Sequence, residues 1–181
     1  TYFFLTWFPV YLVKERHLSI LEAGFAAVAP ALCGFVGGIL GGLTSDKLIR
    51  MNYSLSFSRK LPIVVGFLVS TSIILCNYDD SQAAIVFFMS LSFFGKGIGS
   101  LGWAVMSDVA PKEMVGLSGG MMNAFGNTAG IVTPIVIGYI LASTGSFNLA
   151  LTYVGVHAIA AVICYTVIVG KIQRFELKPT S

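Results

Sequence analysis

Five stretches of this 181-residue sequence are long and apolar enough to cross a lipid bilayer as helices, and only short polar breaks separate them. They cover residues 22–45, 61–78, 83–109, 115–143 and 147–170. A hydrocarbon core about 30 Å thick is crossed by about 20 helical residues. Lipid offers no partner to an unpaired peptide group, so runs of this kind must be helical. A sixth apolar run, TYFFLTWFPVYL at residues 1–12, opens the chain with no initiator Met and is too short to span. It is expected to be a helix that lacks its N-terminal half. The expected fold is therefore an all-α membrane bundle of six helices, the first truncated, running up and down through short loops.

Composition removes most other readings. Hydrophobic residues make up 56% of the chain and charged ones 10%, against about 25% charged in soluble domains. The net charge of +3 is spread over short loops rather than gathered in a patch, so nucleic-acid binding has no support. Cys33, Cys76 and Cys164 each sit in an apolar run without metal-ligand spacing; they read as buried free thiols. No metal or cofactor is implied. An integral membrane enzyme would need a nucleophile–base pair or a metal cluster, and the chain offers two separated histidines, His17 and His157, and no carboxylate deep in a span.

Basic residues orient the bundle. Alternating spans place Lys47, Arg50, Arg59, Lys60, Lys112, Lys171, Arg174 and Lys178 on one side, and Lys14 and Arg16 on the other, with Asp79 and Asp80. Eight against two is a strong positive-inside bias, so the 47–60 loop and the C-terminus are expected to be cytoplasmic. Gly34, Gly38 and Gly42 recur every fourth residue in the second helix, with Gly37 and Gly41 beside them, a ridge that lets another helix approach. Pro9, Pro30 and Pro134 lie inside apolar runs and are expected to bend them.

Lys96 is the one formal charge in the run IVFFMSLSFFGKGIGSLGWAVM. On a continuous helix it lies roughly 18–21 Å from Gln82 and from Asp108, near mid-membrane. A cation there costs roughly 2.5–3.5 kcal/mol, so it normally faces a wet cavity or an anion. No carboxylate of this sequence sits at that depth. The anion is either carried by another part of the protein, as a structural ion pair, or is a ligand.

The second helix ends in GLTSDKLIR, residues 42–50, which resembles the G-x-x-x-D-[RK]-x-x-[RK] loop motif of the major facilitator superfamily. In physical terms Gly42 allows close packing, while Asp46 caps a neighbouring helix or pairs with Lys47 or Arg50, so that the cluster latches one conformation. Together with FFLTWFPVYL, SFSRKLPI, FFGKGIGSLGWAVMSD, GLSGGMMNAFGN and TPIVIGYI, it makes the whole chain similar to the C-terminal half of the anion:cation symporter family, in its glucarate/galactarate branch. The resemblance implies a twelve-span secondary transporter of a bacterial inner membrane. In it, two halves would rock around a sugar acid and take it up with protons. It also implies that acidic coupling residues and substrate-binding arginines lie in the absent N-terminal half.

Lys96, Ser100, Trp103 and Ser107 recur at i, i+4, i+7 and i+11, one face of a continuous helix, among Gly95, Gly97, Gly99 and Gly102. A cation, a hydroxyl and an indole N–H in a row suit an elongated polyhydroxy acid. Asn123 and Asn127 fall one turn apart on the next span, and buried amides need partners. The resemblance assigns Ser100, Trp103 and Asn123 to the substrate cavity. Asn127 is a further candidate, and Thr6 and Trp7 are weaker ones. In the monoacid carriers of the family the position matching Lys96 looks neutral, so the resemblance implies a dicarboxylic sugar acid. A monoacid, a hexuronate or another organic anion is the alternative, and a non-transporting membrane binding subunit is the alternative of another class. His157 reads as a core histidine. Asp108, Lys112 and Glu113 read as a solvated charge cluster or a latch.

Overall fold

The computed structural model describes residues 2–79 and 81–176. Asp80 and Lys178 of the charge tally, and Thr1 of the first run, lie outside them. The described residues form α1 (Tyr2–Thr6), α2 (Phe8–Lys14), α3 (Ile20–Arg50), α4 (Leu55–Ser70) with a 3-10 continuation (Thr71–Asn77), α5 (Gln82–Ile98), α6 (Gly102–Val109), α7 (Val115–Thr144) and α8 (Asn148–Ile163), which ends in a widened π turn (Cys164–Ile168). Five stretches are long and apolar enough to cross a membrane: Ile20–Arg50, Leu55–Asn77, Gln82–Val109, Lys112–Thr144 and Asn148–Ile168.

Ile20–Arg50 and Leu55–Asn77 begin before the apolar runs do because serine side chains cap them. Ser19 accepts from the Glu22 amide, and the Glu22 carboxylate accepts from the Ser19 amide, a capping box that starts α3 at Ile20. Ser54 accepts from the Phe57 amide at 3.3 Å and starts α4 at Leu55, which carries Arg59 and Lys60 into the helix instead of the loop. The 47–60 connection is thus a short turn in which Asn52 takes φ 62°.

Glycine decides which helices touch. α5 lies between α3 and α4 with backbone against backbone on both sides. A Cβ on Gly37 would stand 2.2 Å from the Phe94 carbonyl oxygen, and one on Gly97 2.2 Å from that of Gly34. On the opposite flank a Cβ on Gly66 would stand 2.4 Å from the Gly99 nitrogen, and one on Gly95 2.5 Å from the Gly66 oxygen. The contact ridge of α3 is therefore Gly34, Gly37 and Gly41, not the expected Gly34, Gly38 and Gly42. Among the described residues a Cβ on Gly42 would meet nothing within 4 Å, whereas one on Gly41 would stand 2.5 Å from the Ile98 oxygen.

Pro30 and Pro134 sit inside helices that continue past them without interruption, α3 and α7. The mid-span break falls instead at residues 99–101, between α5 and α6. There the Ser100 amide reaches back only three residues, to Gly97 O at 3.0 Å. Four glycines within eight residues leave the helix few side chains to favour it over an open turn.

A buried cluster joins α1 and α2 to the 3-10 continuation, α5 and α8, through Phe3, Phe8, Tyr11, Ile73, Met89 and Leu151. It lies toward the end of the bundle that carries Arg16 and Asp79. By contrast α3 and α7 expose long apolar faces, among them Phe25, Phe35, Phe125 and Ile135, as lipid-facing or partner-facing helices do. Of the three cysteines, expected buried, Cys76 is buried, Cys33 half-buried and Cys164, at the start of the π turn, exposed.

Candidate functional site

Lys96 occupies the last turn of α5, between Gly95 and Gly97, both buried. Those glycines fix α5 against α4 and α3. The lysine is half-buried and lines a cavity of about 340 Å³ shared with Tyr2, Ser70, Thr133, Tyr153 and His157. Among the described residues it makes no ion pair, and the cavity wall carries no aspartate or glutamate. The wall offers one ammonium, one imidazole, two phenols and two aliphatic hydroxyls: donors and a fixed positive charge, an arrangement that suits an anion.

The other expected residues are not in that cavity. The single-face argument needed an unbroken helix, and the break at residues 99–101 removes it. Ser100 lies in the break itself and is exposed. Trp103 is 52% exposed on α6, its ring against Gly119 of α7, where a Cβ would stand 3.4 Å away. Asn123 is exposed one turn further along α7, so Trp103 and Asn123 border one surface. Ser107 is exposed, and its carbonyl accepts from Arg174 at 2.9 Å. Asn127 joins the two groups: its Oδ1 accepts from the Tyr2 hydroxyl at 2.8 Å, and Tyr2 lines the Lys96 cavity. Tyr2 reaches Asn127 by lying flat over Gly130, where a Cβ would stand 2.9 Å from its ring.

Neither Thr6 nor Trp7 lines the cavity. The Thr6 hydroxyl donates to Tyr2 O of its own helix at 2.8 Å. Trp7 packs against Gly138 and edge-on to Phe147, with its indole N–H buried and unpartnered among the described residues.

His157 is the residue that sequence reasoning set aside. It is exposed rather than part of a core, and it faces the same cavity as Lys96. A histidine one turn after Tyr153 on an otherwise apolar helix was the available signal, but only the neighbours show which way it faces.

At the basic end of the bundle the latch residues are partnered differently from the expectation. Asp46 pairs with Arg59 at 3.3 Å, not with Lys47 or Arg50, which make no ion pair among the described residues. Arg59 also donates to Asp108 Oδ2 at 2.7 Å and to Ser45 Oγ at 2.9 Å. One guanidinium, only 13% exposed, thus ties α3, α4 and α6 together. Asp108, expected in a solvated cluster or a latch, is one of its two acidic partners. The segment after α8 folds back over this junction: Lys60 Nζ donates to Val169 O, the Ile172 amide to Ser56 Oγ at 2.8 Å, and the Phe175 amide to Val109 O at 3.0 Å.

Residues 1–179 match the Major Facilitator Superfamily. The chain is 62% identical, over all of its length, to a protein named probable galactarate/D-glucarate transporter GudP in Escherichia coli, and covers 40% of that relative. It is 62% identical over 98% of its length to the protein of the same name in Bacillus subtilis, covering 39% of it. It is also 42% identical, over 96% of its length, to a D-galactonate transporter of Escherichia coli, again covering 40%. The chain spans about two fifths of the length of these relatives. A multi-pass helical membrane protein with this match over nearly its whole length belongs to the major facilitator superfamily.

Proposed function

We propose that this chain is the C-terminal half of a secondary transporter that takes up sugar acids, dicarboxylic ones such as glucarate and galactarate, by proton symport. The observation that carries the reading is Lys96: a half-buried ammonium at mid-span, lining a cavity of about 340 Å³ with no acidic residue in its wall. An ammonium in that place calls for an anion as its counter-charge. The names of the galactarate/D-glucarate relatives supply the chemistry of that anion.

In this reading Lys96 holds one carboxylate. The chain of hydroxyls runs past Asn127 toward Asn123, Trp103 and Ser100 at the exposed surface, where the N-terminal half would complete the site. The two halves would rock about the substrate and open it to each side in turn. The Gly42, Asp46, Lys47 and Arg50 loop would lie at the cytoplasmic face with the C-terminus, in the inner membrane of a bacterium, as the basic bias suggests.

The test is competition uptake in cells expressing the full-length protein. Labelled glucarate is offered with excess galactonate or galacturonate, in wild type and Lys96→Asn. Uptake that resists both competitors and collapses in the variant supports the dicarboxylate reading. Equal competition by monoacids, with uptake unchanged in the variant, makes the protein a carrier of monoacids and Lys96 a structural residue.

A further inference from the structure

We infer that His157 is a second anion-contacting residue of the Lys96 cavity, and that its free ring nitrogen takes up a proton when the anion binds. The inference rests on the anion-carrying role proposed above for Lys96, and it adds a proton site within this half.

The geometry begins with the tautomer. His157 Nδ1 lies 2.8 Å from the carbonyl oxygen of Tyr153, one turn back on α8. A carbonyl only accepts, so Nδ1 carries the hydrogen and Nε2 holds the lone pair. Nothing among the described residues bonds to Nε2. The ring is steadied by Tyr153, whose centroid is 4.2 Å away. The imidazole is thus held by its own helix with one nitrogen spare, at the wall of a cavity that already contains an ammonium.

The charged and titratable groups facing it are Lys96 from α5, Tyr2 from α1 and Tyr153 from α8. α4 and α7 line the cavity without a titratable side chain, and the Thr71–Asn77 segment contributes no residue to it. A carboxylate entering the cavity brings a negative charge to its wall, and an opposite charge nearby favours the protonated form of an imidazole. The step is a simple protonation: a proton from solvent adds to the Nε2 lone pair, and the new N–H donates to the carboxylate. No covalent bond forms with the ligand. Histidine suits the task because it is the side chain whose unperturbed charge change lies nearest neutral pH.

The experiment is calorimetric titration of the purified full-length protein with glucarate at neutral pH, in buffers of different ionisation enthalpy. It yields both affinity and the number of protons taken up per ligand bound. His157→Gln keeps a polar side chain of similar reach but cannot be charged. It is expected to bind about tenfold more weakly, the value of one charge-assisted hydrogen bond, and to take up fewer protons than wild type. His157→Lys, with a permanent charge, is expected to retain affinity and lose the same uptake. A merely structural role would not move the proton count. If His157→Gln matches wild type in affinity and in proton uptake while Lys96→Asn loses binding, His157 is not part of the site although the Lys96 reading stands. If Lys96→Asn binds glucarate as wild type does, the underlying reading falls, and this one with it.

Discussion

Substituting Gly97 by alanine tests the claim that glycine contact, rather than apolar matching, seats the lysine-bearing helix. An alanine Cβ at this position would stand 2.2 Å from the Gly34 carbonyl oxygen and 2.8 Å from the Gly38 nitrogen. Ordinary carbon–oxygen contact is about 3.3 Å, so α3 and α5 must separate by about 1 Å. The opposing atoms are backbone and cannot rotate aside. A gap of that size forfeits between a quarter and a half of each dispersion contact it opens, and overpacking of this kind costs about 1–3 kcal/mol. Alanine returns less than about 1 kcal/mol through its better helix propensity. The net expectation is a loss of about 1 kcal/mol. Gly42→Ala is the control: a Cβ there meets nothing within 4 Å, so propensity acts alone and the variant is neutral or slightly stabilised. The assay is thermal unfolding of the full-length protein in detergent, with the two variants beside wild type. A Gly97→Ala protein that melts with wild type or with Gly42→Ala would refute the backbone-contact reasoning.

Arg59→Gln leaves the Asp108 carboxylate without its cation at a junction of three helices, and should cost about 2 kcal/mol in the same assay. Adding Asp108→Asn should recover part of that loss, whereas Asp46→Asn alone should cost less than about 1 kcal/mol because Asp46 is 61% exposed. Gly130→Ala pushes the Tyr2 ring from its seat and breaks its bond to Asn127. It should cost about as much as Tyr2→Phe, near 1 kcal/mol, and the two changes together should not add; additive losses would show that Gly130 acts elsewhere.

How much of this was legible in the sequence depends on how far each inference reached along the chain. Apolar run length gave the spans, since hydropathy needs no knowledge of neighbours. Their starts at Ile20 and Leu55 were missed because the signals were two serines, Ser19 and Ser54, outside the apolar runs. Arg59 was read as a loop charge; only the folded chain shows it buried between Asp46 and Asp108. The glycines of α3 fit two ridges one residue apart, and the sequence alone cannot choose between Gly38 with Gly42 and Gly37 with Gly41. The four glycines around Lys96 were read as a lack of bulk, when they also end α5 and so interrupt the helix between Lys96 and Trp103. For His157 the periodicity of an almost uniformly apolar helix carries no phase, so its direction was invisible until α8 had neighbours.

The glycine contacts on both flanks of α5 make this helix resemble a shaft held in two keyways. Gly37 and Gly97 meet on one side and Gly66 and Gly95 on the other, each closer than any methyl group would permit. Such a helix cannot turn about its long axis, because every rotation would drive a Cβ of its own into a carbonyl of α3 or α4. The bearing of Lys96 is accordingly a property of the rigid frame rather than of the lysine's own environment. Changes to the cavity wall alter what the ammonium meets, while the direction from which it enters stays the same.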